Sequence, residues 1–587
     1  MTLTLTILRR GLTSALLAGA AVALALPATA ADYKRSASTD RLINAQSEKD
    51  NWLMPQGDYG SMRYSKLTQI NKTNVGNMKL AFAYALGGML DTGQNGPQND
   101  GPALVDGGVM WVPDGWGSIY KIDVSSGRRG VKLWTKDSKI EHQGNTAQTR
   151  GIAMLGDSLY EGLHDGRVIS VNRDTGDFVW DVQIAGKDEF GTKENFNAAP
   201  NAFDGKIIVA NSAGDSGTRG WIAGLDAATG KQLWRFWTVP APGEPGAETW
   251  KDDHNAWKTG GVGMWQTGSI DPVQRLTIWG TGNPVPAYDP EFRPGDNLYS
   301  DSAVAINVDT GKLKWYFQYV PNESWDYDEI GTHMLADVTL GGKLRQAVLH
   351  FGRNGMMYVL DRTNGQFIGG GQYTNELNWT KGLDPKTGKP IEFDPTLTVQ
   401  KYIPATRQLR GDGMERTCPT WHGGVAMQPQ SFNPVKHIAY GAGAEGCFTQ
   451  NGAAQASKGP NGGLDNAKSE KRTYTSDLYY GSVTAFDVVN NKVIAKAVLD
   501  VENRAGVLAT AGDLIFTGLQ TGQFVAYDDE TLEELFRFDL GTPLKSPPIT
   551  YAIGPKQFVA FTTSGRHVHP VNYDNLESSS YLWVFSL

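Results

Sequence analysis

The feature of this sequence that most constrains its fold is a short turn pattern that recurs along the chain. Each copy has an apolar residue, then Asp or Asn, and usually Gly four positions later, and a tryptophan follows in the first four copies. Asp or Asn starts such a turn by hydrogen bonding to nearby backbone, and Gly supplies the positive φ that the turn requires. The clear copies begin at Asp123, Asn172, Asp226, Asn307 and Asp361, and weaker copies begin at Asp487 and Asp528.

The spacing of these turns predicts a closed, repetitive β architecture. Apolar residues alternate on both sides of each turn, which indicates pairs of antiparallel strands. Four of the six intervals between copies are 41 to 54 residues, and the longer gaps carry loop insertions. A period of roughly 40–50 residues is typical of β-propeller blades, whose neighbouring sheets would hold each tryptophan between them. A β-sandwich with turns repeated by chance is the alternative, and the shared register of the four clearest copies argues against it. We therefore predict an all-β propeller.

Segments outside the repeat predict how the ring closes and where its loops lie. The last residues, Tyr581 to Leu587, alternate like a final strand, and we expect them to pair with an N-terminal strand around Lys79 to Leu86. Such closure removes exposed sheet edges. Pro240 to Gly260, Gly369 to Trp421 and Asn451 to Thr475 do not fit the repeat, and we expect them to be loops around one face.

The N-terminal residues have the pattern of a secretory signal peptide. Arg9 and Arg10 precede an apolar run from Leu12 to Leu26, and Ala28-Thr29-Ala30 matches a small-x-small cleavage site. We expect residues 1–30 to be removed, with an uncleaved anchor as the alternative. No later stretch is long and apolar enough to cross a bilayer. The sequence therefore predicts a protein of the periplasm or the cell exterior.

Charge and cysteine content narrow the classes of partner and cofactor. The formal net charge is -8 and no long basic run occurs, which argues against nucleic acid as a partner. Cys418 and Cys447 are the only cysteines, and in an oxidising compartment such a pair usually forms a disulfide. A metal site would need more ligands at closer spacing. Without a Cys-x-x-Cys-His motif, no covalently attached haem is expected.

Four motifs outside the repeat carry chemistry. They are Gly260-Gly-Val-Gly-Met-Trp265, Gly280-Thr-Gly-Asn283-Pro-Val-Pro286, Asn322-Glu-Ser-Trp-Asp326-Tyr-Asp328 and Gly352-Arg353-Asn-Gly355. With the turns and the Trp52 segment, their order and spacing resemble the quinoprotein alcohol dehydrogenases, which use pyrroloquinoline quinone (PQQ), of the type without a fused cytochrome c domain. The resemblance covers nearly all of residues 31–587. It implies one catalytic domain, an eight-bladed propeller with loop insertions on the active-site face.

The resemblance also implies roles for individual positions. Asp326 matches the catalytic base, Arg353 the residue that bonds the quinone oxygens, and Trp265 the flat floor under the quinone. Arg150 matches a residue near the cofactor carboxylates. The other positions implied to bind cofactor are Asn197, Gly214, Asp215 and Arg504, and the implied metal ligands are Asp215, Asn283, Asp326 and Asp328.

These residue types suit alcohol oxidation by a quinone. A hard cation and a guanidinium make a quinone carbonyl more electrophilic, and hard cations prefer oxygen ligands. A carboxylate beside the metal can accept the hydroxyl proton as hydride leaves carbon. The cofactor itself performs the two-electron chemistry. Without an attached haem, we expect a separate carrier such as a soluble cytochrome c to reoxidise it.

Departures from the family pattern are concentrated around the pocket. Gly144-Asn145-Thr146 stands where most members have two adjacent cysteines over the quinone, and Asp215 replaces a glutamate. Arg504 aligns with a tryptophan near the substrate, and Ala426 with an asparagine that often contacts cofactor. An early acidic contact falls at Asn99 or Asp100. These changes favour a bulkier substrate, such as a polycyclic secondary alcohol, and members that oxidise deoxynivalenol are the nearest comparison.

The residue at position 328 indicates which metal ion the site would bind. In the family, a small or hydroxyl residue at this position accompanies calcium, whereas a second Asp accompanies lanthanides. A trivalent ion is better neutralised by additional carboxylates. The resemblance therefore favours a lanthanide over calcium.

Two other functions remain open. One is a quinoprotein that oxidises a sugar or a polymer alcohol. The other is a non-catalytic scaffold, since outer-membrane assembly proteins use related propellers without the set Asn283, Asp326 and Arg353.

Overall fold

The computed structural model describes residues 35–87, 98–141, 148–188, 191–407, 409, 414–450, 472–474, 480–563, 576 and 579–587. The expected signal peptide and the expected mature start near Ala31 lie outside these residues. The segment Gly144-Asn145-Thr146 and most of Asn451 to Thr475 also lie outside them.

The described chain forms eight sheets, each built on four antiparallel strands, arranged as an eight-bladed β-propeller. This confirms the predicted fold class. In blade order the strands are Leu104–Asp106, Val109–Pro113, Ile119–Asp123 and Val131–Lys136 (blade 1); Ala153–Leu155, Ser158–Gly162, Arg167–Asn172 and Phe178–Gln183 (blade 2); Asn201–Phe203, Lys206–Ala210, Trp221–Asp226 and Gln232–Trp237 (blade 3); Ser269–Asp271, Leu276–Gly280, Ser302–Asn307 and Leu313–Gln318 (blade 4); Met334–Leu340, Lys343–Phe351, Met356–Asp361 and Phe367–Gln372 (blade 5); Ser431–Asn433, Ile438–Glu445, Tyr480–Asp487 and Lys492–Leu499 (blade 6); Val507–Thr510, Leu514–Gly518, Gln523–Asp528 and Glu534–Asp539 (blade 7); and Ile549–Ile553, Lys556–Thr563, Tyr581–Ser586 and Lys79–Ala85 (blade 8).

The remaining elements are short. Tyr64–Ser65 pairs in parallel with the first strand of blade 7, and Gln98–Asn99 pairs in parallel with Gln148–Thr149. Met414–Thr417, Phe448–Gln450 and Arg472–Tyr474 form a small separate sheet. One α-helix spans Thr39–Ile43, and 3-10 turns span Ala45–Ser47, Val75–Asn77, Gly214–Ser216, Ala247–Thr249, Ala256–Thr259 and Pro404–Thr406. No helix in the described residues is long and apolar enough to cross a membrane.

Each clear turn connects the third and fourth strands of one blade and is contacted by the preceding blade, as the sequence pattern predicts. The side chain of Asn172 accepts backbone hydrogen bonds at 2.9 and 3.0 Å, and Gly176 has a φ of 78°. The Trp134 ring from the previous blade lies against Gly176, and its Nε1 donates to the Asp174 carbonyl at 2.9 Å. The tryptophans of the next three copies, Trp180, Trp234 and Trp315, contact Gly230, Gly311 and Gly365 in the same way. Each tryptophan thus connects one sheet to the turn of the next.

The ring closes through its two chain ends. The strand Tyr581–Ser586 pairs antiparallel with Lys79–Ala85, in the register Lys79↔Ser586 to Ala85↔Tyr581. This confirms the predicted partner strand. The N-terminal strand is the outermost strand of blade 8, so residues from both ends of the sequence complete one sheet.

Pro240 to Gly260 carries no strand, as predicted, whereas Gly369 to Trp421 includes strand residues at both ends, 369–372 and Met414–Thr417. Asn451 to Thr475 is described only at Arg472–Tyr474, which is a strand. Gly369 to Gln372 belong to the outer strand Phe367–Gln372, because the glycines there still pair with blade 5 backbone. The disulfide between Cys418 and Cys447 is present, with 4.3 Å between the Cα atoms. It connects the second long insertion to the end of the second strand of blade 6.

Candidate active site

Three segments from different blades bring Asp215, Asn283 and Asp328 together. Asp328 Oδ1 accepts a hydrogen bond of 2.9 Å from the backbone N–H of Asn283. One terminal atom of the Asn283 side-chain amide lies 2.7 Å from Asp328 Oδ1 and 3.2 Å from Asp215 Oδ1. The shorter Asp215 side chain therefore reaches the Asn283 amide.

The donor set of this cluster fits a hard cation. If the Asn283 amide directs its oxygen at the carboxylates, three oxygen atoms converge without a proton between them, an arrangement that suits calcium or a lanthanide. Burial raises the pKa of Asp328 well above its usual range; Arg353 opposes this shift, and nearby Asp326 and Asp215 add to it. Positive charge at this position would stabilise the clustered carboxylates. Asp215, Asn283, Asp326 and Asp328 are the residues that would hold the ion.

Asp326 lies beside this cluster and is held by two neighbours. Its Oδ2 accepts a hydrogen bond of 3.0 Å from the Tyr288 hydroxyl and lies 3.7 Å from Arg353 Nη2. Asp326 is largely buried and has a φ of 71°, a conformation that costs a non-glycine residue on the order of 1 kcal/mol. The backbone therefore places this carboxylate in a strained conformation, which is common at functional sites.

Arg353 is the counter-charge of the acidic cluster. Its Nη1 contacts Asp328 Oδ2, and its Nε and Nη2 donate to the Trp421 carbonyl at 2.9 and 2.6 Å. Its backbone N–H donates to Glu329 at 3.1 Å, and Glu329 Oε2 lies 2.8 Å from His350 Nε2. The guanidinium is therefore held by two segments, those of Asp328 and Trp421, while Glu329 fixes the backbone of Arg353.

Trp265 lies next to the acidic cluster, where a glycine makes room for it. A Cβ on Gly282 would lie 3.2 Å from the Trp265 ring and 2.9 Å from Asp328 Oδ1. A Cβ on Gly214 would lie only 2.4 Å from the Gly263 nitrogen. These glycines allow the loops that carry Trp265, Asp215 and Asn283 to approach each other, as a flat cofactor over an aromatic ring would require.

A second group of residues surrounds Arg150. Arg150 Nη2 lies 3.7 Å from Asp100 Oδ2 and 3.0 Å from the sulfur of Met427, and the Arg150 backbone donates to the Asn197 carbonyl at 2.9 Å. Arg150 Nη1 is buried and has no hydrogen-bond partner among the described residues. Burial lowers the pKa of Arg150 to about 10. An anionic ligand would satisfy this guanidinium.

Of the two early candidates, Asp100 is the one whose carboxylate faces Arg150. The Asn99 side chain instead donates to the Pro113 carbonyl at 2.6 Å and accepts from the backbone of Gly101 at 2.9 Å.

Arg504 belongs to a network that the sequence does not predict. Its Nε donates to Glu502 at 2.8 Å, and its Nη2 lies 3.1 Å from the His422 ring. The other Glu502 oxygen lies 2.8 Å from His422 Nδ1, and Trp421 packs on the same ring with a centroid distance of 3.8 Å. Because the Trp421 carbonyl binds Arg353, this network connects Arg504 to the acidic cluster.

Sequence reasoning missed four further residues around the site, namely Tyr288, Glu502, His422 and Lys545. Tyr288 lies five positions after Asn283, so the Pro-rich motif could have been extended to include it. Glu502 and His422 lie beside predicted positions, but nothing in the sequence shows that they pair. Lys545 lies outside every motif.

Comparison with known proteins identifies the family. The profile described as "PQQ: Glucose/ethanol/alcohol dehydrogenase, beta-propeller domain" matches residues 52–370 and 383–559. The dehydrogenase subunit of the quinone alcohol dehydrogenase from Gluconacetobacter polyoxogenes is 32% identical over 97% of this chain and 80% of its own length. Quinoprotein alcohol dehydrogenase PedH from Pseudomonas putida is 30% identical over 93% of this chain and 91% of its own length.

A solved structure supports the same assignment. A europium-containing methanol dehydrogenase superimposes with a TM-score of 0.81 at 27% identity, covering 93% of this chain and all of its own. The chain belongs to the PQQ-dependent alcohol dehydrogenase family and is an enzyme of the quinoprotein class.

Proposed function

We propose that this protein oxidises a bulky secondary alcohol to a ketone, using PQQ and a lanthanide ion. The convergence of Asp215, Asn283 and Asp328, with Arg353 in contact, is the single observation that carries the proposal. Bound PQQ would supply the two-electron acceptor, which receives hydride from the alcohol carbon.

Asp326 is the proposed base. One carboxylate oxygen would accept the hydroxyl proton, while Tyr288 and Arg353 hold the side chain and stabilise its negative charge. Tyr288 is a positioning residue, because it acts through Asp326. Arg353 would also donate to the quinone oxygens. Trp265 would form the floor of the pocket, and Asn197, Gly214, Asp215 and Arg504 would border the cofactor with Arg150.

A lanthanide is favoured over calcium by the number of carboxylates. Asp215, Asp326 and Asp328 would place three negative charges around one ion, and a trivalent ion gains more from them than a divalent ion. The structural similarity to a europium-containing enzyme supports the same choice.

The substrate proposal rests on what borders the pocket. Arg504 stands where the family has tryptophan, and it is held against Glu502 and His422. The adjacent-cysteine ring is also absent from the sequence. Both changes favour a polycyclic secondary alcohol, for which deoxynivalenol is a suitable test compound. A periplasmic location and a soluble cytochrome c as electron acceptor complete the proposal.

The test is a substrate screen with purified protein, PQQ, a light lanthanide and an artificial electron acceptor. We expect kcat/KM for a polycyclic secondary alcohol to exceed that for ethanol and for glucose. A preference for methanol, ethanol or a sugar would contradict the substrate proposal and leave the quinoprotein chemistry intact.

A further inference from the structure

We propose that Lys545 is an additional cofactor-binding residue, which together with Arg150 holds the carboxylate groups of PQQ. This inference rests on the proposed function. Neither the sequence motifs nor the family resemblance assigns a role to this position.

Lys545 lies against the segments that carry Asp100 and Arg150. It precedes the first strand of blade 8, is only 3% exposed, and donates from Nζ to Gln98 Oε1 at 3.2 Å. Gln98 pairs in register with Gln148, whose side chain donates to Asp100 Oδ2. The next residue, Ser546, donates to the Gly101 carbonyl at 3.2 Å. Lys545 therefore belongs to one group of contacting residues with Gln98, Asp100 and Arg150, which we call the wall.

Three cationic side chains lie close together around Arg150. Arg150, Arg504 and Lys545 interact with one another, and the carboxylates of Asp100 and Glu502 act on Lys545. Glu502 is already bound by Arg504 and His422. Because buried like charges repel, a bound anion beside these three cations would offset their mutual repulsion.

A buried hydrogen-bond donor without a partner among the described residues indicates where such an anion would bind. Arg150 Nη1 is buried without a hydrogen-bond partner among the described residues. PQQ is a tricarboxylate, and the family resemblance directs Arg150 towards those carboxylates. A lysine on the same wall can donate to the same groups. The carboxylate of an acidic alcohol substrate is the other possible source of such an anion, and the experiment separates the two.

The wall also predicts how cofactor binding depends on pH. Burial lowers the pKa of Lys545 to about 8; Asp100 and Glu502 raise it, whereas Arg504 and Arg150 lower it further. Only the protonated amine attracts a carboxylate. The affinity for PQQ should therefore be highest below pH 8 and should fall as the pH rises through that value.

The test measures PQQ binding without turnover. Apoprotein is titrated with PQQ at a fixed, saturating metal concentration, and binding is followed by quenching of tryptophan fluorescence. We expect Lys545→Gln to weaken PQQ binding about tenfold or more, as for loss of a charge-assisted hydrogen bond. Lys545→Arg should retain the affinity and remove its decline above pH 8. Lys389→Gln is the matched control, since Lys389 is half-buried and burial lowers its pKa to about 8, but it interacts with Asp296 instead.

PQQ trimethyl ester, in which the carboxylates are neutralised, should bind wild type and Lys545→Gln with similar affinity. Equal PQQ affinity in wild type and a folded Lys545→Gln, with matching thermal melts, would overturn the inference. An effect confined to KM for a carboxylate-bearing alcohol would also overturn it, because the anion would then be the substrate. Failure of wild type to bind PQQ at all would refute the proposed function itself.

Discussion

At the residue scale, the site depends on side chains whose charges are fixed by contacts between distant segments. Asp326 is held by Tyr288, which lies five positions after Asn283, and by Arg353, which lies one blade further on. The family resemblance predicted Asp326, Asp328 and Asn283, because these residues lie in short segments that match the family motifs. Tyr288 and Lys545 were missed, because a contact between distant segments leaves no local pattern in the sequence.

Replacing the proposed base should separate chemistry from binding. Asp326→Asn keeps the shape of the side chain and removes the proton acceptor, so we expect kcat to fall by about 100-fold or more. PQQ affinity, measured by fluorescence quenching, should change little. Near-normal turnover in this variant with firm PQQ binding would show that the base lies elsewhere.

The hydroxyl of Tyr288 should matter less than the carboxylate it holds. Tyr288→Phe removes one hydrogen bond of 3.0 Å to Asp326, and we expect kcat to fall by about tenfold while KM stays within twofold. Steady-state kinetics on the same alcohol give both values. A loss as large as that of Asp326→Asn would assign the hydroxyl a direct role in proton transfer.

At the element scale, the turn repeat shows why the fold could be predicted in detail. Five copies place glycine at the position of positive φ, and the two weaker copies keep that conformation with Asn491 (φ 51°) and Leu532 (φ 55°). The sequence signal weakens there although the turn is preserved. The outer strand of blade 5 was placed partly in a loop, because the run Gly369–Gly371 lacks the alternation by which strands are recognised.

Substitutions at the turn position should shift stability in opposite directions. Gly365→Ala would strain a φ of 75° and place a Cβ 2.6 Å from the Trp315 ring, and we expect a loss of about 1–3 kcal/mol. The matched change Asn491→Gly relieves strain and should be neutral or stabilising by about 0.5 kcal/mol. Urea unfolding of both variants measures the free energies. Equal effects of the two substitutions would contradict the assigned role of positive φ.

At the scale of the whole molecule, blade 8 closes the ring, because its sheet combines the strand Lys79–Ala85 with the C-terminal strand Tyr581–Ser586. Phe585, in the C-terminal strand, is fully buried and packs on Phe524 and Phe538 with centroid distances of 5.1 Å each. The closing strand was predictable because its apolar alternation is regular. The orientation of the Arg504 side chain was not predictable, since it depends on a contact with His422, about 80 residues away in the sequence.

A core substitution in the closing strand should destabilise the whole propeller. Phe585→Ala removes a buried ring from an aromatic cluster, and we expect a loss of about 3–5 kcal/mol in the free energy of unfolding. Tyr581→Ala, at the exposed end of the same strand, is the control and should cost less than about 1 kcal/mol. If both variants unfold like wild type, closure by this strand does not support the ring.

The most direct test of the central claim is reconstitution with defined metals. Wild type and Asp328→Ala are loaded with PQQ and either calcium or lanthanum, and alcohol oxidation is measured with an artificial electron acceptor. We expect lanthanum to support the higher activity in wild type, and Asp328→Ala to lose the lanthanum-dependent activity by about 100-fold while activity with calcium is spared. Equal loss with both metals, or no activity with lanthanum in wild type, would contradict a lanthanide-dependent quinoprotein site.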